Sequence, residues 1–152
     1  MALRDRLLKS PTIDGDEMQA LVKSVFAWTD PFPPKDVKYL APSAEDYQAF
    51  TARYLKTKEI RFGSCKSTKI ESYPDCDDFV VMARGQLTQA CVDLKLPRQI
   101  NHQGLEYSHP LGAHDLILAF DKYRHAWFLE PQTGVWIEPL GIPEFKVRRI
   151  SW

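Results

Sequence analysis

The stretch YPDCDDFVVMARGQL, Tyr73 to Leu87, sets a cysteine among aspartates at the head of an apolar run. Counted at 3.6 residues per turn, Cys76, Val80, Ala83, Leu87, Ala90, Cys91 and Leu94 share one stripe, which predicts a core-facing helix starting at or just before Cys76. A thiol in that place is either the first packed atom of the stripe or a nucleophile aimed into a cleft. The unsatisfied N–H groups and the dipole of a helix N-terminus favour a thiolate. Asp75, Asp77 and Asp78 oppose it, although acidic residues also suit the first turn of any helix. Cys76 alone decides neither way.

Upstream, Asp14 or Asp16 can cap a first helix carrying Met18, Leu21, Val22, Val25 and Phe26, closed by Trp28 before the proline-rich DPFPPKD. DVKYLAPS reads as an extended lead-in. Pro42 and Ser43 then open a helix with Tyr47, Phe50, Tyr54 and Leu55 on one face. A short strand is expected around Glu59–Phe62, followed by a loop. Downstream, LPRQINHQGLEYSHPLGA carries one irregular strand. HDLILAFD, HAWFLEP and GVWIEP follow as strands joined by short turns, the first at Lys122–Arg124. Helices first and an antiparallel sheet afterwards give an α+β fold, read as a single domain over 1–152.

Twenty basic residues balance twenty acidic ones, so no strong field steers the chain to nucleic acid or an anionic membrane. The basic clusters Lys66–Lys69 and Lys146–Arg149 read as solvated faces. No apolar run approaches the ~20 residues of a membrane span, and the charged start MALRDRLLKSP lacks the pattern of a signal peptide. A cytoplasmic protein is the expectation. Cys65, Cys76 and Cys91 are odd in number and form no C-x-x-C pair, so they read as separate thiols rather than a disulfide framework or a zinc site.

A nucleophilic cysteine needs a base and a group that orients it. Of His102, His109, His114 and His125, His114 opens an apolar strand just after Gly112 and Ala113. In a hairpin centred on Lys122 and Tyr123, opposite residues sum to about 245. His114 then faces Pro131, beside Glu130, the carboxylate a Cys–His–acid triad requires. His125 falls near Phe120 at the turn, far from Glu130. Tyr73 and the backbone N–H of Cys76 are the candidates for an oxyanion site.

DCDDFVVMARGQL, GAHDLILAF and HAWFLEPQTGVW together resemble the papain-like and transglutaminase-like cysteine peptidases. Within them the chain is most similar to the small protease domain at the C-terminus of a mushroom agglutinin and to short phage and bacterial relatives. The resemblance covers roughly Lys35 to Glu138. It implies a papain-like scaffold with Cys76 as nucleophile, His114 as base and Glu130 as orienting acid. It also implies a possible calcium requirement, for which Asp75, Asp77 or Asp78 would supply ligands; otherwise no metal or cofactor is expected.

The function these readings lead to is a cysteine peptidase or related thiol amide hydrolase acting on a peptide or protein. Alternatives are a non-catalytic binding or regulatory module, a peptidoglycan endopeptidase, and transglutaminase-type acyl transfer with the same triad. The aromatic-rich end GVWIEPLGIPEFKVRRISW would be the partner surface of a binding module, with Trp152 as a packing plug.

Overall fold

The computed structural model describes residues 1–26, 38–59, 75–109, 112–139 and 146–152. Its elements run α1 (Leu3–Leu8), β1 (Thr12–Asp14), α2 (Gly15–Phe26), β2 (Lys38–Leu40), α3 (Ala44–Tyr54), a 3-10 turn (Thr57–Glu59), α4 (Cys76–Asp93), then β3 (Gln103–His109), β4 (Gly112–Phe120), β5 (Ala126–Glu130), β6 (Val135–Ile137) and β7 (Lys146–Ser151). The five later strands form one antiparallel sheet in the order β6-β5-β4-β3-β7, and β1 and β2 pair separately. The α+β class follows directly, with α4 packed across the sheet.

Both sheet faces are covered. Ile117, Ala119 and Leu129 meet Val80, Ala83, Leu87 and Cys91 of α4, together with Tyr47 and Phe50 of α3. Leu116, Leu118, Phe120 and Phe128 point the other way, onto Ile13, Met18 and Val22. β4 therefore reads as a continuous apolar run, while the period of two still sorts its residues between two cores. Gly104 lies close under α4: a Cβ there would stand 3.2 Å from Val80 Cγ1 and 3.2 Å from Ser151 Cβ, a tight fit.

Local chemistry sets the helix starts as the sequence suggests. Asp14 Oδ1 accepts from Glu17 N at 2.7 Å, and Ser43 Oγ accepts from Asp46 N at 3.1 Å. At the head of α4, Asp78 Oδ2 accepts from Asp75 N at 3.1 Å, one half of a capping box. The β4–β5 turn is built on Asp121, whose carboxylate accepts from Tyr123 N, His125 N and Trp127 Nε1. Arg124 takes a left-handed φ of 67° there and clamps Glu17 through two nitrogens at 3.0 Å, tying the turn to α2.

Three expectations need correction. The helix expected first, the one capped at Asp14 or Asp16, is the second: α1 precedes it, has too few turns to show a period and is fixed by tertiary contacts, Leu7 being buried and Arg6 Nε donating to Asp46 Oδ1 at 2.6 Å. Glu59 closes a 3-10 turn rather than opening a strand. The tail, expected only as an aromatic-rich partner surface, carries a strand: Lys146–Ser151 pairs with β3 and Ile150 enters the core, while residues 140–145 lie outside the described residues. Its charges mask the strand because β7 is an edge, where Lys and Arg are the usual occupants. Trp28, DPFPPKD, Cys65, Lys66–Lys69 and the rest of the expected strand around Glu59–Phe62 lie outside the described residues. Among the described residues, no helix is long and apolar enough to cross a membrane.

Asn101 is fully buried and ties the two halves together. Its Oδ1 accepts from Phe120 N at 2.8 Å, and its Nδ2 donates to Leu40 O and Phe120 O, both at 2.9 Å. Tyr47 Oη adds a bond to Asn101 O at 2.8 Å. Asn101→Ala is expected to destabilise the fold by about 2–4 kcal/mol, because it strands the Phe120 N–H away from water. A urea midpoint measured beside the exposed control Val81→Ala checks this; equal midpoints would refute it.

Candidate active site

Sequence reasoning places His114 and Glu130 near one another, and the sheet brings them into contact through a register one residue away from the expected one. β4 and β5 pair as Ile117↔Leu129 and Phe120↔Ala126, so opposite residues sum to 246 rather than 245. Continuing that register sets Glu130 opposite Leu116, two residues from His114 and on the same face. With the expected sum of 245 the two side chains would have pointed to opposite faces.

His114 Nε2 and Glu130 Oε2 are in direct hydrogen-bond contact, each side chain about one-sixth exposed. The other carboxylate oxygen, Oε1, accepts from Gln132 N at 3.1 Å. EPQTG is the turn that makes this possible: Gly134 N donates to Glu130 O at 2.8 Å, with Gly134 at φ 75°. Tyr107, directly opposite His114 on β3, sets its ring edge-on to the imidazole at 5.9 Å between centroids. The imidazole is thus gripped from two neighbouring strands. Because Nε2 serves the carboxylate, exchange of a proton with a thiol falls to Nδ1.

Cys76 is the first residue of α4, and its Sγ donates to Asp115 Oδ2 at 3.4 Å. Asp115 follows His114 in the chain, so its side chain leaves β4 toward α4 while His114 faces the opposite core. Two separate contacts stand at one end of β4: His114 with Glu130, and Cys76 with Asp115, the neighbour of His114. Asp115 was missed by sequence reasoning. Its signal was strand parity, since Asp115 shares the face of Ile117 and Ala119, the face α4 must cover. Tyr73 lies outside the described residues. His125 is largely exposed, 3.8 Å from Asp121, and stands apart from the site as expected.

The surroundings of the sulfur are acidic. Burial raises the Asp115 carboxyl above the usual range, the bond from Cys76 lowers it, and Glu106 and Asp77 raise it further. Asp75 is pushed up to about 6, chiefly by its hydrogen bond to Asp77, and Asp77 is lowered by the same bond. The bond moves the two carboxyls in opposite directions. Arg148 and Arg149 of β7 pair with Glu106 at 3.3 and 3.2 Å and offset part of this charge. Carboxylate oxygens of Asp75, Asp77 and Asp78 lie within 4.8 Å of one another, and Asp75 Oδ1 is enclosed without a hydrogen-bond partner. An all-oxygen anionic set of this kind fits a hard cation such as calcium.

No family model matches the chain, and no curated protein matches it in sequence. Solved structures do share its fold. One is the Polyporus squamosus lectin bound to the human-type influenza-binding epitope Neu5Aca2-6Galb1-4GlcNAc, with a TM-score of 0.71 and 15% identity, covering 91% of this chain and 49% of the lectin chain. Another is a complex of PSL1a with E64, with a TM-score of 0.69 and 18% identity, covering 90% of this chain and 48% of that one. The chain spans about half the length of these structures, and at this identity the likeness is one of fold. The motif resemblance to papain-like and transglutaminase-like cysteine peptidases, including the agglutinin protease domain, is overturned: no peptidase family model matches, and the structures sharing the fold are those of a lectin. The motifs have local causes that need no shared family. DCDD is what a capped, dipole-matched helix start requires, and EPQTG is a tight turn.

A carboxylate against the sulfur disfavours the thiolate. Asp115→Asn is therefore expected to speed alkylation of Cys76 by iodoacetamide at pH 7 severalfold over wild type. Peptide mass spectrometry gives the rate, with buried Cys91 as internal reference. A slower rate would identify Asp115 as a group that assists deprotonation instead.

Proposed function

We propose that the protein is a thiol amide hydrolase, a cysteine peptidase in the simplest case, with Cys76 as nucleophile, His114 as base and Glu130 as the acid that orients it. The contact between His114 and Glu130, one residue along β4 from the aspartate that holds the Cys76 sulfur, carries this reading. For the reaction the Cys76 thiol has to leave Asp115 and come round the open end of β4, where Asp115 and His114 project to opposite faces, to give its proton to His114 Nδ1. The thiolate adds to the amide carbonyl carbon, and helix N-terminal N–H groups, including that of Cys76, stabilise the oxyanion. The C–N bond then breaks, and the imidazolium protonates the departing amine. Water, losing a proton to His114, attacks the thioester. The sulfur leaves, takes back its proton, and a carboxylic acid is released. Glu130 stays ionised and stabilises the imidazolium throughout. A cation held by Asp75, Asp77 and Asp78 would supply positive charge beside Cys76.

Cleavage of a fluorogenic peptide library by the purified protein tests the reading. Cys76→Ala is expected to reduce kcat/KM to background, His114→Ala by about a thousandfold or more, and Glu130→Gln by at least about tenfold. An intact-mass adduct with E64, absent in Cys76→Ala, would support it independently. Turnover that survives Cys76→Ala would remove it. Incorporation of a labelled primary amine separates acyl transfer from hydrolysis, and zymography on sacculi separates a peptidoglycan substrate from a protein one.

A second reading, a glycan-binding module without catalysis, is favoured by the lectin bound to a sialylated trisaccharide. Titration with that trisaccharide tests it. Binding unchanged by Cys76→Ala, with no peptide turnover, would make it the function.

A further inference from the structure

Strand β7 carries an extra residue where it passes Glu106. It pairs with β3 as Glu106↔Arg149 and Tyr107↔Val147, with a register shift between the two, so Arg148 is the inserted residue of a β-bulge. Val147 and Ile150 both pack with the α2-side core, which leaves Arg148 and Arg149 together on the other face. The result is two guanidiniums on one carboxylate. Arg148 Nη1 lies 3.3 Å from Glu106 Oε1, and Arg149 Nη2 lies 3.2 Å from Oε2. One arginine is enough to neutralise Glu106. The second is a spare charge, and with the two arginine side chains 54% and 61% exposed, either is able to turn.

A second carboxylate stands within reach. Glu106 has Asp115 as its partner on β4 and Arg149 as its partner on β7, so the three form one row across the sheet, on the face under α4. Two strand spacings, about 10 Å, separate the backbones of Asp115 and Arg149, and the two side chains together can span that gap. A cavity of about 120 Å³ lies over the row; Asp115, Glu106 and Arg149 all line it, with Val80 and Arg84 of α4 facing them. Asp115 already feels this surrounding. Burial pushes its carboxyl up, and Glu106 and Asp77 add to that, while the bond from Cys76 and the charge of Arg149 pull it down. An Asp115 carboxylate that leaves the sulfur therefore has room in the cavity and a cation to meet.

We propose that Asp115 is a two-position latch on the Cys76 thiol, and that Arg149 is the residue that opens it. In the closed position, which this structure holds, Asp115 Oδ2 accepts from Cys76 Sγ at 3.4 Å and keeps the sulfur on the face away from His114. In the open position Asp115 pairs with Arg149, Glu106 keeps Arg148, and the thiol is released toward the imidazole. Each carboxylate then has one arginine, where in the closed position Glu106 holds both. Arg149 touches no reacting atom; it is a positioning residue that acts through Asp115. The latch rests on the reading of Cys76 as nucleophile and His114 as base, and supplies the regulation of that site.

The test compares alkylation of Cys76 by iodoacetamide at pH 7 with turnover of the fluorogenic peptide library, both on the full chain. Arg149→Ala is expected to slow alkylation and lower kcat/KM at least about threefold, and Arg149→Lys, which keeps the charge, to restore most of both. Asp115→Ala is expected to alkylate faster than wild type. In that background Arg149→Ala is expected to change nothing, because there is no latch left to open. A general field effect of the lost cation would persist without Asp115, so the double variant separates the two. Asp115→Asn takes the place of Asp115→Ala if the latter does not fold. Alkylation that follows this pattern without peptide turnover in any variant would support the latch and remove the hydrolase. Equal slowing by Arg149→Ala with and without Asp115, or no slowing in the otherwise wild-type chain, would overturn the latch while measured wild-type turnover left the hydrolase standing.

Discussion

Strand β4 lies between two cores, and that constraint governs the candidate site. A residue on this strand belongs to the α4 side or to the α2 side, and a one-residue change of register would exchange every assignment. Ile117 and Ala119 are fixed toward α4 and Leu118 and Phe120 away from it, each fully or nearly fully buried. Burial of such side chains contributes about 1.5–3 kcal/mol apiece, so slippage is excluded energetically. The polar residues at the strand's open end inherit this parity. His114 is turned to Glu130 and Tyr107, and Asp115 to Cys76, because the apolar residues further along leave no other choice.

The electrostatics at that end oppose one another. A helix N-terminus favours a sulfur anion, while four aspartates and Glu106 disfavour it, relieved in part by two arginines from the edge strand. Asp75, raised to about 6 chiefly by its hydrogen bond to Asp77, sheds its negative charge only as the pH falls through that value. The Cys76 thiol meets a carboxylate, that of Asp115, whose own charge is raised or lowered by these neighbours.

Much of this was legible in the residue order. The α4 stripe from Val80 to Cys91, the caps at Asp14 and Ser43 and the β4–β5 turn follow from helical period, hydrogen-bonding side chains and turn chemistry. All of these act within a few residues. The pairing of Glu130 with His114 was also legible, although the arithmetic behind it was off by one. What stayed hidden depends on distant partners: the short α1, held by Asp46, and β7, whose charged pattern makes sense only at a sheet edge. The family resemblance failed for a related reason. Short motifs at a helix head and in a turn repeat wherever the same local physics applies.

By itself, then, the chain determined which segments coil or extend and which faces turn inward, because propensity and periodicity are local. Only the tertiary structure decided that the sulfur meets Asp115, that the imidazole meets Glu130 across the strand, and that Arg148 and Arg149 meet one carboxylate, Glu106. Those outcomes depend on strand register and on how α4 lies over the sheet. Both are set by the summed packing of two cores rather than by any one stretch of residues.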